Sequence, residues 1–143
     1  SQLPQAQVTA VDASPEALSL AGQNAKRLSL NVSFLESDWL AQVTGQFEVI
    51  ASNPPYIEAQ DSHLNLLRHE PLEALVSGDD GLSAIRNIVQ NACSHLVAGG
   101  WLLIEHGWQQ APQVRELLSS AGFRHVQSKL DLAGIERCSG GQK

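Results

Sequence analysis

Phe47-Glu48-Val49-Ile50-Ala51-Ser52-Asn53-Pro54-Pro55-Tyr56 is the stretch on which the reading of this chain turns. Its first five residues form a short apolar run with β-forming side chains, which predicts a strand. The two prolines end that strand, because neither has an N–H to donate and both have a fixed φ. The backbone after the strand is therefore stiff, and its carbonyls remain free to accept. The Asn53 side-chain oxygen and the Pro54 carbonyl can serve as two fixed acceptors. An NH2 group on a planar, conjugated carbon carries two in-plane hydrogens that match such a pair. Tyr56 can stack on the planar group and close the pocket. The plainer readings are a Pro-Pro turn or a Pro-Pro-Tyr ligand for a WW domain. A ligand peptide belongs in a disordered stretch, whereas this one follows directly on an apolar strand.

Upstream, Val8-Thr9-Ala10-Val11 predicts a buried strand ending at Asp12. Ser14-Pro15-Glu16 opens a helix: serine caps free N–H groups, proline suits the first position and glutamate suits the positive end of the dipole. Leu18, Ala21, Ala25 and Leu28 give that helix an apolar stripe. Val32 to Leu35 is a second strand, closed by Glu36-Ser37-Asp38-Trp39. Downstream, Ile57 to Gly78 is irregular and reads as loop with a short helix. Asp79-Asp80-Gly81 precedes a helix with Ile85, Ile88, Val89, Ala92 and Leu96 on one face, which Gly99-Gly100 should stop. A strand at Trp101 to Glu105, a helix at Ala111 to Ala121 ended by Gly122, and a strand at Arg124 to Leu130 follow. Arg137 onward reads as a last strand, weakened by glycine. This alternation predicts an α/β domain with a mostly parallel sheet and helices on both faces.

Ligands of such sheets bind at the carboxyl ends of the strands. That rule selects Asp12, Asp38-Trp39, Asn53 to Tyr56 and Glu105-His106. A carboxylate at Asp12 can accept two hydrogen bonds from a ribose diol; alternatively it caps the helix at Ser14-Pro15. Asp38 can accept from an adenine amino group and Trp39 can wall the ring; alternatively Trp39 is an ordinary packed aromatic. Glu105-His106 reads as a packed, hydrogen-bonded structural pair.

The 143 residues fit one domain, long enough to bury a core. No apolar run approaches the roughly 20 residues of a membrane span. Ser1 to Gln7 lacks the basic and apolar regions of a signal peptide. Cys93 and Cys138 lie far apart, without metal-type spacing, and read as free thiols of a cytoplasmic protein. A net charge of −6 argues against a broad footprint on duplex DNA. No G-x-G-x-x-G is present to suggest a dinucleotide-dependent oxidoreductase.

Asn-Pro-Pro-Tyr after a strand resembles the signature of amino methyltransferases that act on adenine, cytosine or glutamine NH2 groups. Further stretches resemble the glutamine-specific branch: His69-Glu70-Pro71-Leu72-Glu73-Ala74-Leu75, Gly78-Asp79-Asp80-Gly81-Leu82, Glu105-His106-Gly107, and Asp131-Leu132-Ala133-Gly134-Ile135-Glu136-Arg137. Together they resemble the HemK/PrmC family of release-factor glutamine N5-methyltransferases. The resemblance implies a Rossmann-like class I fold dependent on S-adenosyl-L-methionine. Residues 1–143 would then be one partial catalytic domain, expected to act as a monomer and without a metal. It implies Asp12 at the cofactor ribose, Asp38 and Trp39 at its adenine, and Asn53 touching both cofactor and substrate. Pro54, Pro55 and Tyr56 would hold the substrate glutamine, with Asn53, Pro54 and Tyr56 as the catalytic set. The partner would be a peptide chain release factor, methylated at the glutamine of its Gly-Gly-Gln motif. The chain's own Gly140-Gly141-Gln142 reads as coincidence.

In this family a glycine-rich loop follows the first strand and serves the methionine part of the cofactor. This chain begins just before the counterpart of the second strand, without that loop or the family's N-terminal helical domain. The resemblance thus implies an N-terminally truncated piece, with weak or no cofactor binding and poor activity on its own. Two rivals stand beside the glutamine reading. One is an adenine-N6 nucleic-acid methyltransferase, which shares the chemistry but needs base flipping and phosphate contacts. The other is an inactive binding module that keeps only part of the sheet.

Overall fold

The computed structural model describes residues 5–60 and 75–143. It comprises two compact units, Ser1–Gly45 and Gln46–Lys143.

The first unit contains β1 (Val8–Asp12), α1 (Pro15–Arg27) and β2 (Val32–Glu36). β1 and β2 pair in parallel, with Val8 opposite Val32 and Asp12 opposite Glu36. α1 begins as its residue types dictate. The Ser14 hydroxyl accepts from the Ala17 N–H at 3.1 Å, Pro15 fills the first turn, and Glu16 stands at the positive end of the dipole. Lys26 and Arg27 occupy the last turn, where a cation is favoured. β1 does not match the expectation of a buried strand. Val8 is 47% and Val11 37% exposed. Among the described residues β1 hydrogen-bonds only to β2, and a parallel strand is buried only when flanked on both edges and covered on both faces.

The second unit holds β3 (Phe47–Ser52), α2 (Ser83–Ala92), a 3₁₀ turn (Cys93–His95), β4 (Leu96–Glu105), α3 (Ala111–Ser120), β5 (Arg124–Leu130) and β6 (Glu136–Gln142). The sheet order is β3-β4-β6-β5. β3 and β4 are parallel, and β6 runs antiparallel between β4 and β5. α2 packs on β4, α3 on β5 and β6, and the two helices touch. Between them lies the core: Ile85, Ile88, Val89 and Ala92 from α2, Leu102 and Ile104 from β4, Val114 and Leu118 from α3.

The helix expected to run to Gly99-Gly100 ends instead at Ala92, and Leu96 opens β4 opposite Phe47. The glycine pair serves an irregularity in that strand. The β3–β4 register shifts between Phe47 and Val49. Gly99 takes φ +80°, and a Cβ on Gly100 would meet the Phe47 and Glu48 carbonyl oxygens at 3.1 Å. Gly140-Gly141-Gln142 lies within β6, paired with β4. Its glycines are explained by packing, since a Cβ on Gly140 would stand 2.7 Å from the Leu102 carbonyl oxygen. Both cysteines are free, as the sequence suggested.

Candidate active site

In the first unit, Asp12 and the Asp38-Trp39 turn leave the carboxyl ends of two neighbouring strands. One Asp12 carboxylate oxygen receives the Ser14 N–H at 2.8 Å, while the cap of α1 is the Ser14 hydroxyl. No described residue hydrogen-bonds the other Asp12 oxygen. Trp39 is half-buried with φ +51°, a left-handed conformation that costs a non-glycine residue energy unless neighbours impose it. The imposing group is Ser37, which the sequence reading passed over. Its buried hydroxyl donates to the Trp39 carbonyl at 2.8 Å and accepts from the Gln42 N–H at 3.1 Å. Gln42 in turn receives the Asp38 N–H at 2.9 Å. The Asp38 side chain stays exposed.

In the second unit, Ser52 faces Ile104 across parallel strands, so Asn53–Tyr56 and Glu105–Gly107 leave the sheet at one edge. β6 begins at that edge, and the His106 N–H bonds the Arg137 carbonyl at 3.0 Å. Pro54 is fully buried, Pro55 and Tyr56 are half-buried, and Asn53 is exposed. The motif is thus anchored by one proline while its asparagine faces outward. No described residue donates to the Asn53 side chain or to the Pro54 carbonyl. The chain beyond is tied down by Ile57 N–H to Leu75 O and Ser77 N–H to Ile57 O, both 2.9 Å. His69 to Ala74, part of the family-like sequence, lies outside the described residues.

Tyr56 lines an open cleft of about 730 Å³ together with Glu58, Arg86, Trp108, Gln110 and Gln113. Asp80 and Arg86 pair at its margin. Hydrogen bonds from the Arg86 guanidinium, then from the Leu82 N–H, hold the Asp80 carboxyl down to about 2. Burial and the Glu105 carboxylate push the Cys138 thiol up. Of the expected structural pair, His106 is fully buried and hydrogen-bonded while Glu105 is exposed. Two residues escaped the sequence reading here. The buried Ser77 hydroxyl caps α2 by accepting from the Ala84 N–H at 2.7 Å, although an Asp pair lies nearer in sequence. Buried Gln110, the second of two adjacent glutamines, reaches the Tyr56 carbonyl. Nothing in the sequence distinguishes it from Gln109.

Comparison with known proteins fits this layout. A release factor glutamine methyltransferase of Bordetella pertussis is 49% identical over 142 residues, covering 96% of this chain and 53% of the relative. The chain spans about half the length of the curated relatives it matches. A methyltransferase from Pyrococcus furiosus superposes with TM-score 0.73 at 20% identity, covering 96% of this chain and 62% of that one. The N-methyltransferase NodS from Bradyrhizobium japonicum, in complex with S-adenosyl-l-homocysteine, gives TM-score 0.57 at 19% identity, covering 95% and 65%. These likenesses show the class I methyltransferase fold. The methyltransferase small domain family matches residues 1–129. An α/β chain whose Asn-Pro-Pro-Tyr leaves the carboxyl end of a strand, matched over nearly its whole length, belongs to the methyltransferase small domain family.

Proposed function

We propose that this chain is part of the catalytic domain of an S-adenosyl-L-methionine-dependent enzyme that methylates the side-chain amide nitrogen of glutamine in the Gly-Gly-Gln motif of a peptide chain release factor. The observation that carries the reading is the Asn53–Tyr56 segment: Pro54 sunk in the core, Asn53 exposed, Tyr56 at the wall of a cleft. The name carried by the relatives supports the glutamine substrate over a nucleic acid.

The first unit fits the nucleoside part of the cofactor. Asp12 keeps a carboxylate oxygen that no described residue occupies, suited to a ribose diol. Asp38 keeps an exposed side chain and Trp39 a half-exposed ring for adenine. When bound, the cofactor supplies an electrophilic sulfonium methyl.

An amide nitrogen is a poor nucleophile, because its lone pair is delocalised into the carbonyl. The protein's task is therefore alignment. The Asn53 side-chain oxygen and the Pro54 carbonyl would accept the two amide hydrogens and fix the plane of the group. Both acceptors also stabilise positive charge that grows on nitrogen during transfer. The proton can leave afterwards, so no general base is needed. A release-factor substrate places the reaction in the cytoplasm.

The test is product identity. Full-length protein, S-adenosyl-L-methionine and a release factor are incubated, and the tryptic peptides are analysed by mass spectrometry. A 14-dalton gain on the Gly-Gly-Gln glutamine is expected, and none when that glutamine is alanine. Methylated adenine in a DNA substrate, with an unmodified release factor, would overturn the reading.

A further inference from the structure

We propose that Gln110 is a positioning residue for Tyr56, its side-chain amide held in one orientation by the Gly107 N–H. The inference rests on the reading of Asn53–Tyr56 as the amide-binding segment.

Gln110 opens α3 but does not cap it. Its side chain turns back and joins three segments. Oε1 accepts the Gly107 N–H at 2.9 Å, while Nε2 donates to the Tyr56 carbonyl at 3.1 Å and, more weakly, to the Asp80 carbonyl at 3.4 Å. A backbone N–H can only donate and a carbonyl can only accept, so the amide orientation is fixed. Gln110 is buried, and its polar atoms must be satisfied there. The surroundings are shaped to it. Gly81 takes φ +69°, and a Cβ there would stand 2.3 Å from the Tyr56 carbonyl oxygen and 2.7 Å from Gln110 Nε2. A Cβ on Gly107 would meet Gln110 Oε1 at 3.0 Å.

Beside Gly107 lies a second group of polar residues. His106 Nδ1 lies 2.9 Å from the Gly107 carbonyl, which accepts only, so Nδ1 carries the proton. Nε2 lies 2.8 Å from the Ser139 hydroxyl. The Ser139 and Ser128 hydroxyls are 2.7 Å apart, and Ser128 accepts from Arg115 Nη1 at 2.5 Å. Arg115 also pairs with Glu136 at 2.8 Å. His106 and Ser139 are fully buried, and the methyl-transfer chemistry does not employ them. Tyr56 follows Pro54 and Pro55, so fixing its carbonyl fixes the outlet of the segment whose acceptors would grip the substrate.

The experiment compares Gln110→Glu with wild type in the full-length protein, measuring kcat and KM for release factor and for S-adenosyl-L-methionine. The carboxylate keeps the side chain's shape and the bond from Gly107, but offers no donor to Tyr56. A fall in kcat of about tenfold or more is expected, with cofactor KM within about twofold. A folded Gln110→Glu enzyme with kcat within about twofold of wild type overturns the role. Asn53→Ala run in parallel separates the two readings: an intact rate there overturns the underlying segment assignment. Nitrogen-15 NMR of the Gln110 side-chain amide in the unaltered protein tests the contact without any variant. Slow hydrogen exchange of its NH2 group is expected, and exchange as fast as that of the exposed Gln109 amide would overturn the held orientation.

Discussion

β1 and β4 are both apolar strands of an α/β chain, yet they live in different surroundings. Leu102 and Ile104 of β4 are fully buried beneath α2 and α3, with strand partners on both edges. Val8 and Val11 of β1 stay largely open, with one strand partner among the described residues. The difference teaches that an apolar pattern states what a strand can bury, while its neighbours decide whether it does. Asp12, Asp38 and Trp39 stand on the lightly packed unit, and Asn53–Tyr56 on the well-packed one.

The contrast can be broken most sharply by cavities. Ile104→Ala should cost about 3–4 kcal/mol, because truncating a fully buried β4 side chain leaves a void in the core. Val11→Ala in β1 should cost under about 1 kcal/mol, since little apolar area leaves contact. Urea denaturation of both variants measures the gap; equal losses would refute the contrast. Helix caps sharpen it on a smaller scale. Ser77→Ala removes a buried acceptor from the Ala84 N–H and should cost about 1–2 kcal/mol. Ser14→Ala removes a partly exposed cap and should cost about 0.5–1 kcal/mol by the same measurement.

The smallest effect belongs to Asp80. Its carboxyl is held down to about 2 from an ordinary 3.8. A depressed folded value means that the pair with Arg86 adds stability fully present above about pH 4, fading as the pH falls towards 2. Both side chains are well exposed, so the gain is under about 1 kcal/mol. Asp80→Asn should lose that part of the pH dependence and cost under about 1 kcal/mol near neutral pH. A larger loss at pH 7 would contradict the surface character of the pair.

Much of the frame was legible in the sequence, because its signals were local. Ser14-Pro15-Glu16 started a helix, Gly122 ended another at φ +88°, and Pro54-Pro55 stopped a strand. The errors came where one residue type has two uses. Gly99-Gly100 suits a helix stop and a strand irregularity equally, and only the register with Phe47 chose between them. The site divides the same way. Placing Asp12, Trp39 and Asn53–Tyr56 at carboxyl ends of strands required only the strand order. Ser37, Ser77 and Gln110 act on backbone groups through space, and no spacing rule announces such contacts.

The central claim is that Asn53 and Pro54 align a planar amide for methyl transfer. Single-turnover transfer to a release factor by full-length Asn53→Ala, measured beside its affinity for S-adenosyl-L-methionine, tests it most directly. The account predicts a rate lower by about 10²–10³-fold with cofactor affinity little changed. An undiminished rate, or a loss traced wholly to cofactor binding, would contradict it.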